Sequence, residues 1–293
     1  MRPEHTWFMV LLGILYCNFA VGEVEVVDDI GKALRLEFPA GRIISLAPNI
    51  TELVFAAGGG GRLVGVVAGS DYPPAARTIP AIGSYNRINL EKILALQPDL
   101  IIAWHKGNKA ATVRNLKNLG LKVLLLKFTE LEDIPRAIAK IGKLLGNTIN
   151  AGKAAAEFTT RLIASKPVKF KKRPRVFIQI WNRPLITLNH EDLYSKIVSF
   201  CGAENIFAKK NKVAPIVNLE EVIKIDPEII ILSSKEKSQH PWKVYWQRWQ
   251  QLQAVRNNQI FFINPDLTNR ASPRIIAGVK KVCAVVHGTQ ASK

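Results

Sequence analysis

"LEKILALQPDLIIAW" at residues 90–104 is answered later in the chain by "LEEVIKIDPEIIIL" at residues 219–232. Each copy follows an asparagine (Asn89, Asn218), opens with Leu-Glu, breaks at a proline followed by an acid (Pro98-Asp99, Pro227-Glu228) and ends in an apolar run. Asparagine is a favoured helix N-cap, and the residue before a proline is pushed out of the helical region. The closing runs lack polar alternation, as expected of strands buried on both faces. The two stretches therefore predict one helix–turn–strand unit, written once in each of two similar α/β halves. Glu91 and Glu220 fall in the first helical turn, where an acid favours the helix dipole by about 0.3–1 kcal/mol. That accounts for each acid singly, not for their match across the halves.

Outward from these copies the pattern alternates. "RIISLA" (42–47), "LVGVV" (63–67) and "KVLLLKF" (122–128) read as strands, with helices at 51–57 and 110–120. "EVEVVDDIGKALRLEF" (23–38) reads as a hairpin turning at Asp-Asp-Ile-Gly. From Glu130 to Ser165 the periodicity is helical throughout. The order then restarts: "RVFIQIW" (175–181), "EIIILSS" (228–234) and "QIFFIN" (259–264) as strands, with helices at 193–202, 245–252 and 272–287. Strands alternating with helices imply parallel sheets covered on both faces.

The 293 residues are 48% hydrophobic and 22% charged, a globular balance with room for two lobes. Lys plus Arg outnumber Asp plus Glu by 41 to 23, giving +18 at pH 7, which raises the question of nucleic acid or another anionic surface. The basic residues are scattered, however, and the densest run, "KPVKFKKRPR" (166–175), lies between the two halves as a solvated segment would. Without a helix-turn-helix, zinc-finger or aromatic-basic motif, no nucleic-acid partner is expected.

The N-terminus reads as a secretory leader. Arg2 precedes an apolar run from Trp7 to Tyr16, and Ala20 and Gly22 stand at −3 and −1 of a cleavage before Glu23. Tyr16 before Cys17 argues against lipidation, and no other run reaches the ~18 apolar residues of a membrane span. Removing the leader takes Cys17 with it. Cys201 and Cys283 remain, and in an oxidising compartment one disulfide is expected, against the alternative of two buried thiols. An enzyme is not indicated. "GGGGR" (58–62) follows a helix and lacks the Gly-Lys-Ser/Thr ending of a phosphate loop, and the five histidines show no paired metal spacing.

With "RIISLAPNITELVFAAG", "SDYPP", "NLEKILALQPDLIIAW", "FCGAENIF", "NLEEV" and "RASPRII" in this order, nearly all of the chain after the leader resembles the periplasmic substrate-binding proteins of the iron-chelate and vitamin B12 uptake class. The resemblance implies the class III fold: two Rossmann-like α/β lobes with parallel sheets, joined by one long helix, with ligand in the cleft between them. The divisions would be leader 1–22, N-terminal lobe 23–146, connecting helix 147–168, C-terminal lobe 169–288 and tail 289–293. It implies a monomeric, periplasmic component of an ABC importer, without cofactor or catalysis, serving a permease with ATPase subunits. Glu91 and Glu220 match the surface acids by which such proteins dock on the permease. The segments around Cys201 and Cys283 match those carrying the family's disulfide.

For the ligand, the resemblance implies cobalamin or a related corrinoid, with haem or a ferric siderophore as the alternative. Trp104 matches a cleft tryptophan, Tyr85 stands where a tryptophan is expected, and Trp181 falls near a cleft phenylalanine. Asp266 and Arg270 match the family's polar pair. Two expected aromatic walls are replaced by Gly69 and Ala214. On the haem alternative, Tyr85 or His105 would be the ligand to iron.

Overall fold

In a computed structural model of the chain, residues 23–84, 87–167, 173–234 and 241–291 are described. The expected leader (1–22) and Tyr85 lie outside them. The chain starts with an antiparallel hairpin, β1 (Val24–Val27) and β2 (Ala33–Leu36), turning where the sequence places it. Next come β3 (Ile43–Ser45), α1 (Pro48–Ala56), β4 (Leu63–Val66), a small ribbon of β5 (Gly83–Ser84) and β6 (Arg87–Ile88), α2 (Leu90–Ala95), β7 (Leu100–Trp104), α3 (Ala110–Asn118), β8 (Val123–Leu126) and α4 (Asp133–Leu144). After α5 (Thr148–Ala164) follow β9 (Arg175–Gln179), α6 (Leu193–Phe200), β10 (Glu204–Asn205), α7 (Leu219–Ile225), β11 (Ile229–Ser233), α8 (Pro241–Gln247), α9 (Gln253–Arg256), β12 (Ile260–Ile263) and α10 (Ile275–Ala291).

Two four-stranded parallel sheets result, β4-β3-β7-β8 before α5 and β10-β9-β11-β12 after it. The two copies of the opening motif are α2–β7 and α7–β11, and their correspondence extends further than the quoted residues. Asn89 and Asn218 each cap their helix, accepting from Lys92 N and Glu221 N. Gln97 and Asp226, each just before the proline, take left-handed backbone at φ 45° and 53°. Arg42 and Arg175, which lead into the first strand of each sheet, donate to the helix-end carbonyls of Leu96 and Ile225, both at 2.7 Å. Each carbonyl of those arginines also accepts from the acid after the proline, Asp99 N at 3.0 Å and Glu228 N at 2.9 Å. One turn chemistry thus serves both lobes.

A single apolar cluster runs from the N-terminal lobe into the C-terminal one. It takes Leu53 and Val54 of α1, Ile138 and Ile141 of α4, Phe158 and Leu162 of α5, then Ile197 of α6 and Val279 and Val282 of α10. Smaller clusters cover the other face of each sheet. A connection packed this way stiffens the molecule, because close-packed cores deform little. The disulfide forms between Cys201, at the end of α6, and Cys283 of α10.

Several local expectations shift. The helix expected at 245–252 sits earlier, at Pro241–Gln247, because its Trp246 is fully buried, donates to Gln179 Oε1 at 2.6 Å and meets Phe177 edge-on. The last helix begins at Ile275 rather than at Ser272, whose hydroxyl is engaged elsewhere. The helix expected from Thr51 starts at Pro48, a residue whose fixed φ suits the first helical turn. "GGGGR" is a turn, as its position after a helix implies. A Cβ on Gly60 would lie 2.3 Å from the Phe55 ring, so glycine is there for close packing rather than for phosphate.

The cleft between the lobes as the candidate functional site

In parallel α/β sheets, loops after the carboxyl ends of the strands gather ligand sites. Here those ends face one another across the lobes. Between them lies a cavity of about 320 Å³. Trp104, the last residue of β7, and Phe128, just beyond β8, form its N-terminal-lobe wall. The opposite wall is Ile180 beyond β9, Leu188 and Leu193 around the start of α6, and Val213 and Ala214. Thr268, Asn269 and Ala271, on the segment between β12 and α10, close one side.

The orientation of Trp104 is locally enforced. Asn108 is buried, accepts from Trp104 N at 2.8 Å and donates to Leu46 O at 2.8 Å, pinning the loop after β7 against the sheet. Gly107 lies directly against the indole, where a Cβ would come within 2.0 Å of Cε3. Only glycine lets the ring lie there. Ala214, where the resemblance implies an aromatic wall, lines the cavity.

The charged groups of the cleft join the lobes. Lys106 Nζ meets Glu191 Oε2 at 2.9 Å across the cavity mouth, and this hydrogen bond holds the Glu191 carboxyl below the usual carboxylate range. Asp192 caps α6, accepting from Tyr194 N at 2.8 Å, and its burial pushes its pKa up against the pull of that N–H and Lys106. Burial also drives the Tyr194 phenol upward, so it stays neutral.

Beside the cavity sits a denser network. Glu52 of α1 is buried, with Oε2 accepting from Ser272 Oγ at 2.6 Å and Arg274 Nε at 2.8 Å. Its Oε1 accepts from Arg274 Nη2 and, at 3.3 Å, from Arg270 Nη1. Arg270 Nη1 also donates to Asp71 Oδ1 at 2.7 Å, while its Nη2 lies 3.1 Å from Asp266 Oδ1. The Arg270 hydrogen bond carries the Asp71 carboxyl below its ordinary range, outweighing the opposing effect of partial burial. Burial works to lower the Arg270 pKa, but Asp71, Asp266 and Glu52 hold it above the ordinary value. The Arg274 guanidinium stacks 4.1 Å from the Tyr72 ring centroid.

Of the sequence-predicted residues, Trp104 lines the cavity, and Asp266 and Arg270 pair with each other on the segment bounding it. Trp181 does not line the cavity. It is 57% exposed with its indole N–H turned to Arg183 O, and its neighbour Ile180 takes the wall position. Glu91 and Glu220 are exposed at the starts of α2 and α7, and among the described residues neither forms an ion pair. His105 is exposed, and the described residues contain no cluster of three metal-ligating side chains. Glu52, Asp71, Lys106, Glu191 and Arg274 went unread in the sequence. Glu52, Asp71 and Arg274 lie inside "RIISLAPNITELVFAAG", "SDYPP" and "RASPRII", which carried the resemblance but gave these residues no role.

The profile of the family described as "Periplasmic binding protein" matches residues 43–267. The chain belongs to that family. Among relatives of this periplasmic binding protein, the vitamin B12-binding protein of Vibrio cholerae is 38% identical over 259 residues, covering 88% of this chain and 93% of its own. That of Vibrio parahaemolyticus is 37% identical over 248 residues, covering 84% and 89%. The crystal structure of the periplasmic vitamin B12-binding protein BtuF of Vibrio cholerae superposes with a TM-score of 0.80 at 37% identity, over 86% of this chain and 98% of that one. The periplasmic heme-binding protein RhuT of Roseiflexus shares the fold, with a TM-score of 0.75 at 20% identity. Among the described residues no helix is long and apolar enough to cross a membrane.

Proposed function

We propose that this chain is the exported, ligand-capturing component of an ABC importer and that it carries cobalamin or a closely related corrinoid to the permease. The observation that carries this reading is the interlobe cavity walled by Trp104 and Phe128 and rimmed by Lys106, Glu191 and Asn269. A corrinoid is a broad apolar disc edged with amide groups. Aromatic walls bury its face, and a few fixed polar groups orient its edge. The kinship to vitamin B12-binding proteins at 37–38% identity supports the same reading. Since a corrinoid is larger than the roughly 320 Å³ cavity, its remaining bulk lies in the open mouth between the lobes. The leader at 1–22 delivers the chain to the periplasm, and the two lobes, 23–146 and 169–288, are held by the connector at 147–168. Tyr85, Asp266 and Arg270 complete the ligand surface, and Ile180 stands in place of Trp181. Glu91 and Glu220 present matched acids to a two-fold permease whose ATPase subunits drive release.

Titrating cyanocobalamin into wild type and Trp104→Ala tests this. Removing the indole is expected to weaken binding by about tenfold or more, as for a buried aromatic anchor. An unchanged affinity would place the ligand elsewhere.

A further inference from the structure

Arg270 is largely committed. Its guanidinium offers five N–H donors, and three carboxylates from three segments surround it: Glu52 on α1, Asp71 on the loop after β4, and Asp266 on its own segment. The three are not alike. Glu52 is buried, and Arg274 and Ser272 hold it in place. Asp266 lies four residues from Arg270 on the same segment. Asp71 belongs to the other lobe, is 49% exposed, and has Arg270 as its ion-pair partner, while the Tyr72 beside it is engaged by Arg274. Asp71 is therefore the partner of Arg270 that solvent or a ligand can replace at least cost.

We propose that Asp71 is a placeholder for the ligand: in the empty protein it occupies the Arg270 donors across the cleft, and an entering ligand must displace it, while Glu52 stays fixed and keeps Arg270 aimed. This rests on the cleft being the ligand site proposed above and adds two positioning residues to it. The chemistry that competes is a hydrogen-bond acceptor on the ligand edge, such as an amide carbonyl, against a carboxylate that bears full charge. The binding-competent fraction of empty protein is the fraction with Asp71 detached, and apparent association scales with that fraction. The bound state does not contain the Asp71–Arg270 pair, so dissociation is indifferent to residue 71. Glu52 acts in the opposite direction. Without its charge, Arg270 and Arg274 lose their common anchor and the bound state loses its aim.

The test is stopped-flow cyanocobalamin binding to wild type, Asp71→Asn, Glu52→Gln and Glu130→Gln. Glu130 is the control, because its 2.6 Å pair with Lys196 also crosses the lobes, while neither residue lines the cavity or pairs with Arg270. Asp71→Asn is expected to raise the association rate by about two- to fivefold, the range of a partly exposed ion pair, with dissociation unchanged. Glu52→Gln is expected to speed dissociation, and Glu130→Gln to change neither rate. An Asp71→Asn protein that releases ligand faster, or associates no faster, overturns the proposal. Equal acceleration by Glu130→Gln would mean general loosening of the lobes and would also overturn it. Wild type that binds no corrinoid refutes the proposed function instead. In that event phenylglyoxal modification of Arg270, mapped by mass spectrometry on ligand-free protein, decides the inference alone. Faster modification in Asp71→Asn upholds it, and an unchanged rate refutes it.

Discussion

At the scale of single residues, the cleft depends on side chains whose partners lie far away in sequence. Trp104 was legible through the resemblance, which matches it to a cleft tryptophan, and it ends β7 at the carboxyl edge of the sheet, where ligand sites gather. Gly107 and Asn108, which set its orientation, were not, since a glycine and an asparagine after a strand are ordinary loop residues. The Glu52 network was illegible for a different reason. Its lobe-crossing pairs span 199 to 222 residues, and only the folded chain brings α1 to the segment before α10. The Asp71–Arg270 pair has a defined pH signature. Because the folded-state pKa of Asp71 is lowered from 3.8, the pair contributes stability above that value and loses it as pH falls through the folded pKa. Denaturant titrations of wild type and Asp71→Asn should therefore differ by a constant amount between about pH 5 and 7, and the difference should shrink below pH 3.8. A difference that grows on acidification would contradict the assignment.

At the scale of elements, patterning decides what is legible. Long, strongly periodic segments such as α4 and α5, and the apolar strands β7 and β11, stand where the sequence puts them. The two-residue strands β5, β6 and β10 do not announce themselves, because their pairing is imposed by neighbours: β10 exists through its register with Arg175 and Val176 of β9. The helix expected at 245–252 stands at Pro241–Gln247 because packing on Phe177 and Gln179 selects Trp246, among Trp242, Trp246 and Trp249, for full burial. The α6–α10 staple makes its own prediction. Closing a loop over a separation of 82 residues constrains the unfolded chain, and replacing both Cys201 and Cys283 by alanine should lower stability by about 2–5 kcal/mol. A urea midpoint measured on oxidised wild type and the double variant checks this. Neither cysteine lines the cavity, so corrinoid affinity should survive at temperatures where the variant is folded.

At the scale of the whole molecule, the repeat that opens the sequence becomes a matched pair of surfaces. The α2 and α7 helices share caps, left-handed exits and arginine hooks, and each carries an exposed glutamate in its first turn. Local stability needs only an acid there, and the match is what the proposed docking on a two-fold permease requires. Reversing both charges, Glu91→Lys with Glu220→Lys, should leave ligand affinity unchanged and reduce capture by a permease in membranes by tenfold or more, as for like charges brought together at an interface. Undiminished capture would remove these residues from docking. The continuous apolar cluster through α5 argues for small lobe movements, and ion pairs such as Lys106–Glu191 and Glu130–Lys196 also cross between the lobes. The most direct test of a corrinoid site in the cleft is a calorimetric titration of residues 23–293 with cyanocobalamin, with haemin as competitor. We expect saturable one-to-one binding of cyanocobalamin that haemin does not displace. No heat from cyanocobalamin, with haemin binding in its place, would contradict the corrinoid assignment and move the protein to the iron-chelate side of its family.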